Sequence, residues 1–123
     1  MTTLTESNRT GEFLLSEANG TLSRESVVVV SGSGELEAGT VLGKVTASGK
    51  YAPYDDDNVD GTGVAAGVLY ASVDATSADQ DAVIISRLAE ISYDRIVWAS
   101  TNDALDKTAG LADLASLLII ARN

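Results

Sequence analysis

An acidic stretch, YDDDNVDGTG at residues 54–63, contains the residue types of this chain that are best suited to binding a metal ion. It includes the first half of an EF-hand calcium-loop pattern, formed by Asp56, Asn58, Asp60 and Gly61. The second half is missing, because the twelfth position of such a loop requires a bidentate glutamate and is Gly67 here. The flanking segments also alternate like strands rather than helices. The pattern therefore favours a solvated acidic loop, residues 55–60, over a specific calcium site.

Two further carboxylates are candidates for an acid pair of the kind that hydrolyses glycosides, Glu90 in RLAEIS and Asp94 in SYDRIVW. Both have apolar neighbours, as a buried acid should. With 18 acidic residues in the chain, however, some pairs must lie close together without any catalytic role. The simpler interpretation is that Glu90 is a surface strand residue and that Asp94 begins a helical turn or forms a corner.

The composition excludes several classes of active site. The chain has no cysteine and no histidine, which removes disulfides, zinc sites, cysteine nucleophiles and Ser-His-Asp hydrolysis. Two glycine-rich strings, SGSGELEAG and GTGVAAG, lack the Gly-Lys-Ser/Thr ending of a phosphate-binding loop. The sequence therefore predicts no catalytic, cofactor-binding or metal-binding residue, no cofactor, and a protein that is not an enzyme.

The net charge of −10 and a pI near 4.1 predict repulsion from nucleic acid and from anionic membranes. No apolar run reaches the ~18 residues that a membrane-spanning helix needs. The N-terminus lacks the basic and apolar regions of a signal peptide, so we expect a soluble protein made in the cytoplasm. Such a surface suits a basic or mixed partner.

The first 25 residues predict a flexible N-terminal arm, because they are polar, rich in turn formers and without periodicity. One apolar island interrupts this arm at Phe13, Leu14 and Leu15. Residues 26–123 then predict a separate β-rich domain. Its strand-like segments are residues 26–30, 40–47, 50–54, 63–73, 83–85, 89–91 and 117–121. Within the fourth of these, Gly67 indicates a bulge or a close approach of two backbones.

A helix is predicted between the last two strands, beginning at a cap formed by Thr101 or Asn102. Its expected buried stripe consists of Leu105, Ala109, Ala112 and Ala115, with Leu111 and Leu114 beside it. Gly110 should weaken this helix by about 1 kcal/mol relative to alanine. The expected fold is mainly β with one short C-terminal helix, a compact β-barrel-like domain of the β-tulip type.

The ordered set of segments AGTVLGKVTASGKYAPYD, DGTGVAAGVLYASVDAT, AEISYDRIVW and LLIIAR resembles tailed-phage head decoration proteins of the lambda D type. The segment FLLSEANGTLSRE is similar to the opening of that family, so the resemblance covers about residues 13–122. It implies a small β-rich domain that forms homotrimers. These trimers would bind the outer surface of the expanded head at three-fold sites and stabilise it as a cement across neighbouring major capsid protein subunits.

In this resemblance the N-terminal arm is the element that orders on the capsid. The capsid-binding residues it implies here are Glu12, Phe13, Leu14, Leu15 and Ser16. The alternative for the apolar island is a strand that packs on its own domain. Two other functions also stay open, a stand-alone acidic β-domain for surface adhesion or calcium-assisted binding, and a hydrolase that uses carboxylates alone.

Overall fold

Short segments rich in β-branched and apolar residues, separated by glycine-containing turns, form most of the regular structure. The computed structural model describes residues 8–122. The strands within this range are β1 (Leu14–Glu17), β2 (Arg24–Val29), β3 (Gly34–Leu36), β4 (Val41–Lys44), β5 (Tyr51–Pro53), β6 (Ala65–Leu69), β7 (Val73–Ala75), β8 (Gln80–Ile85), β9 (Ala89–Ser92) and β10 (Ile119–Arg122). A 3-10 turn, Tyr93–Arg95, follows β9, and helix α1 spans Ala104–Ser116.

Five strands close into a barrel in the order β2-β5-β4-β6-β8. The longest ladder joins β2 and β8, which pair antiparallel from Arg24 opposite Ile85 to Val29 opposite Gln80. Alternate residues of these strands point inward, so side chains such as Val29 and Ile84 are fully buried. The predicted fold class, a mainly β barrel with one C-terminal helix, is confirmed.

A second sheet, with strand order β1-β9-β10, covers one side of the core. Strand β1 pairs antiparallel with β9, and β10 pairs parallel with the other edge of β9. A parallel pair needs a crossover connection, and the chain segment between β9 and β10 contains α1. Phe13, Ile91, Leu114 and Ile119 belong to the cluster that this sheet and α1 bury.

Gly67 lies where β6 approaches β8 closely. A Cβ at this position would lie 2.8 Å from Ile84 Cδ1 and 2.9 Å from the Ile85 carbonyl oxygen. The register between β4 and β6 also shifts between Leu42 and Gly43, opposite this glycine. The sequence predicted either a bulge or a close approach at Gly67, and the structure has both a register shift and a close approach there.

Helix α1 differs from its prediction in both its cap and its buried face. The N-cap is Asp103, which forms a reciprocal capping box with Asp106, rather than Thr101 or Asn102. Leu105, the largest member of the expected stripe, is 80 % exposed. The buried residues of the helix are Asp106, Gly110 and Leu114, of which only Leu114 was expected, beside the stripe. Helix α1 packs against Trp98 and Tyr54 at Gly110, the residue without a side chain. A Cβ on Gly110 would lie 2.7 Å from Trp98 and 2.8 Å from Tyr54, so a larger residue does not fit there without a shift.

The segment predicted as a flexible arm is folded in its described part, residues 8–25. It contributes all of β1 and the first residues of β2, so the boundary predicted after residue 25 falls inside a strand. Phe13 is 0 % exposed, and its carbonyl oxygen accepts from the Ser92 N–H at 2.7 Å. Burial of an aromatic ring offsets the ordering entropy that favoured a free arm. Residues 1–7 of the predicted arm lie outside the described residues.

Candidate functional site

The acidic loop connects β5 to β6, and its polar side chains bind one another. The Asp60 carboxylate accepts from the Thr62 N–H at 3.0 Å and from the Thr62 hydroxyl. The Asn58 amide donates to the same hydroxyl oxygen at 2.8 Å. Gly61 has a φ of +109°, and a Cβ there would collide with the Lys44 carbonyl oxygen. The turn and its contact with β4 thus account for Asn58, Asp60 and Gly61, three of the four residues that resemble the start of a calcium loop.

A different acidic cluster forms where this loop meets helix α1. Carboxylate oxygens of Asp55, Asp57 and Asp106 all lie within 4.8 Å of one another. Hydrogen bonds from the Thr101 hydroxyl and the Asp57 N–H lower the pKa of Asp55. The Asp103 N–H lowers the pKa of Asp106, but burial and the neighbouring negative charges outweigh it, so that pKa is raised. The sequence did not predict this grouping, because the helix register decides which acid reaches the loop.

Replacing Asp55 with asparagine is expected to lower the midpoint of thermal unfolding at pH 7. A carboxyl whose pKa is lowered on folding stabilises the fold above its unfolded pKa, and this stabilisation is lost as the pH falls through its folded pKa. The difference in unfolding midpoint between the variant and wild type should therefore shrink as the pH falls below 3.8, the ordinary pKa of an aspartate. Thermal unfolding between pH 7 and pH 2.5 measures it, with Asp94→Asn as a control of equal charge change. A difference independent of pH would contradict this explanation.

The candidate hydrolytic carboxylates have the simpler placements that the sequence favoured. Glu90 lies on β9 at the surface, with its Oε2 3.6 Å from Arg122 Nε. Asp94 is exposed in the 3-10 turn after β9. Each is therefore accounted for as a surface residue.

The five predicted capsid-binding residues differ in burial, and they do not alternate because the register of β1 shifts between Leu14 and Ser16. Phe13 is buried, and Leu14, opposite Ile91, is half-buried. Their neighbours Glu12, Leu15 and Ser16 are exposed, with Leu15 at 55 %. Phe13 and Leu14 therefore attach the segment to the domain, and the exposed residues before and after them are open to contact from outside.

Asn8 attaches the chain to the domain ahead of β1. Its N–H donates to the Glu37 carboxylate at 2.9 Å. Its side-chain amide donates to the carbonyl oxygens of Ala38, at 3.0 Å, and Arg95. Gly39 leaves room for this amide, since a Cβ there would lie 3.0 Å from Asn8 Nδ2. These hydrogen bonds therefore fix the position of Asn8 on the domain.

Both ends of the described chain lie at one end of the three-stranded sheet. Strand β1 starts beside Ile91, and β10, parallel to β9, finishes at Arg122 opposite Ser92. The 3-10 turn follows directly, and Arg95 Nη1 lies 3.8 Å from Glu12 Oε1. We call this end of the sheet the terminal face; its residues are Asn8, Glu12, Tyr93, Arg95 and Arg122.

Comparison with known families and proteins gives one assignment. A search of curated proteins found no match. Across residues 8–122, no helix is both long and apolar enough to cross a membrane. The family model described as bacteriophage lambda head decoration protein D matches residues 3–119 of the 123, and it includes both the β1 segment and helix α1. The chain therefore belongs to the bacteriophage lambda head decoration protein D family, a structural family of phage capsids.

Proposed function

We propose that the protein binds the outer surface of the expanded phage head as homotrimers at three-fold sites, and that it stabilises the head without catalysing a reaction. Its partner would be the major capsid protein, with each trimer bridging neighbouring subunits. Family membership supports the decoration role. The observation that carries the mode of binding is the terminal face, where hydrogen bonds hold Asn8 on the domain ahead of the edge strand β1.

Strand β1 supplies the second part of the argument, because it is the edge strand of its sheet in the order β1-β9-β10. An edge strand presents backbone donors and acceptors to which an extended segment of a partner can add. Leu15 and Ser16 are exposed on this strand, and Glu12 is exposed just before it. We therefore assign the capsid contacts to Glu12, Leu15 and Ser16, together with residues 1–7, while Phe13 and Leu14 hold the segment in place.

Stabilisation would follow from mass action. A protein that binds only the expanded head lowers the free energy of that state relative to the unexpanded one. Three arms on one trimer also raise the effective concentration of the second and third contacts once the first has formed. Modest contacts at each β1 edge would then suffice for tight binding.

The test is co-sedimentation with expanded and unexpanded heads that lack this protein. We expect saturable binding to expanded heads only, and a loss of at least tenfold in affinity when residues 1–7 are deleted. This deletion is preferable to one that starts the chain at Ser26, which would also remove β1 and Phe13 from the fold. Val59→Ser, at a fully exposed site in the acidic loop, is the control.

Each other outcome has a definite meaning for this proposal. Undiminished binding by the deletion variant would place the contacts in the described domain rather than in residues 1–7. Equal binding to both forms of the head would contradict stabilisation of the expanded state. Absence of binding to either form would refute the decoration role.

A further inference from the structure

Two leucines at one end of the three-stranded sheet combine an exposed side chain with an unfavourable backbone conformation. Leu88 has a φ of +53° and is 37 % exposed, and Leu118 has a φ of +63° and is 58 % exposed. Among the described residues, these are the two non-glycine positions with positive φ. The left-handed region is costly for bulky side chains, because their Cβ approaches the following carbonyl oxygen.

The local fold accounts for the backbone conformation but not for the leucine side chains. Leu118 follows the last turn of α1, and its N–H donates to the Ala115 carbonyl oxygen at 2.9 Å, as in a left-handed helix end where glycine is usual. Leu88 ends the turn before β9, and its N–H donates to the Leu117 carbonyl oxygen at 3.3 Å. Glycine or asparagine would satisfy the same backbone at less cost. The backbone conformation at these two positions therefore does not require leucine.

The surroundings of these leucines differ in charge from the rest of the molecule. Three ion pairs lie around them, at N–O distances of 2.7, 2.6 and 3.6 Å, formed by Arg24 with Glu17, Arg87 with Glu25, and Arg122 with Glu90. This region is neutral, with three cations and three acids. The rest of the chain contains 5 of the 8 basic residues and 15 of the 18 acidic residues. The net charge of −10 therefore lies outside this region.

A shallow groove runs between the two leucines on the outer side of the sheet. It is lined by residues of β1, β9 and β10 and the turns beside them, among them Ala18, Glu90 and Ile120, and has a volume of about 340 Å³. A third exposed leucine, Leu22, lies nearby, since its carbonyl oxygen accepts from Arg87 at 2.6 Å. We call this surface the leucine rim; its residues are Leu22, Leu88 and Leu118.

We propose that the leucine rim is the surface on which a second copy of this chain packs. Two chains of net charge −10 repel each other over most of their surface, and the repulsion is least where the charges are already paired. The exposed leucines supply apolar surface in that neutral region. Protein interfaces commonly have such an apolar centre surrounded by polar residues. The leucine rim adjoins the Ala89 end of β9 and the terminal face adjoins its Ser92 end, while Ser16, one of the proposed capsid contacts, lines the groove between the leucines.

This inference rests on the proposed homotrimer, whose contact surface it names, and sedimentation velocity over a wide range of concentrations tests it. We expect wild type to associate, and Leu88→Asn combined with Leu118→Asn to weaken association at least tenfold. Asparagine tolerates the left-handed conformation, so the unfolding midpoint of the double variant should be unchanged or higher where both proteins are monomeric. Leu105→Asn, which removes a leucine that is 80 % exposed on α1, should associate like wild type.

Several results would overturn the inference. The wild type could stay monomeric at every concentration. The double variant could associate as strongly as wild type, or its monomer could unfold at a lower midpoint than the wild-type monomer. Head binding measured in parallel separates this inference from the proposed function. Head binding without self-association overturns the leucine rim alone, and self-association without head binding overturns the decoration role alone.

Discussion

Replacing Phe13 with alanine is expected to lower the free energy of unfolding by about 3–5 kcal/mol, the usual range for removing a buried phenylalanine ring. The ring is 0 % exposed and packs in the same cluster as Ile91 and Ile119, under the three-stranded sheet. Domains of this size are stable by only about 5–15 kcal/mol, so the change removes a large part of the total. Urea unfolding followed by Trp98 fluorescence measures it.

The matched control is Leu15→Ala, two residues further along the same segment. Leu15 is 55 % exposed, so its truncation should cost less than about 1 kcal/mol. The affinity for the head should respond differently from stability. Leu15→Ala should lower this affinity by more than its small loss of stability explains. Equal stability of Phe13→Ala and wild type would show that this segment is a free arm, as the sequence predicted.

Replacing Gly110 with alanine is expected to destabilise the protein by about 1–3 kcal/mol, the range for overpacking in a filled core. Helix propensity alone predicts the opposite sign, a gain of about 1 kcal/mol. Packing should decide, because the added Cβ would lie 2.7 Å from the Trp98 ring and 2.8 Å from the Tyr54 ring. Tyr54 cannot move aside easily, since it is fully buried and its hydroxyl donates to the Asp106 carbonyl oxygen at 2.8 Å.

Ala112→Gly provides the control for helix propensity, because Ala112 is exposed on the same helix. It should cost about 1 kcal/mol through backbone entropy alone. Thermal and urea unfolding of both variants then separate the two effects. A more stable Gly110→Ala protein would mean that the aromatic rings give way without cost, and that the helix is not held against them.

The barrel was predictable from the sequence because its strands are specified locally. Segments such as 40–47 and 50–54 carry alternating apolar residues, and turn formers separate them. Gly67 was also predictable as an irregular position, since a glycine inside an apolar strand weakens it and usually marks a bulge or a close backbone approach. In these cases the residues that determine the structure are neighbours in the chain.

Phe13 and the buried face of α1 were not predictable in the same way. The partner of β1 is β9, more than seventy residues later, and a short apolar island in polar surroundings does not reveal it. In α1 the apolar count favoured the side with Leu105, whereas the two aromatic rings select the side with the smallest residue, Gly110. Both outcomes depend on surfaces supplied by distant segments.

The acidic residues give a similar lesson for the candidate site. Their spacing suggested Asp56, Asn58 and Asp60 as a group, but the loop uses the last two to close on Thr62. The grouping that does form includes Asp106, because the capping box at Asp103 sets where the first turn of α1 lies. Charge patterning thus predicted an acidic surface correctly, but the positions of individual carboxylates required the tertiary structure.

The strand order β1-β9-β10 also fixes the order in which the protein can be completed during synthesis. All five barrel strands lie between residues 24 and 85, so the barrel can close while the rest of the chain is still being made. The sheet beside it is complete only when β10, at residues 119–122, has been added next to β9. The terminal face is therefore completed last, and a chain interrupted before β10 would lack Arg122 and would leave one edge of β9 unpaired.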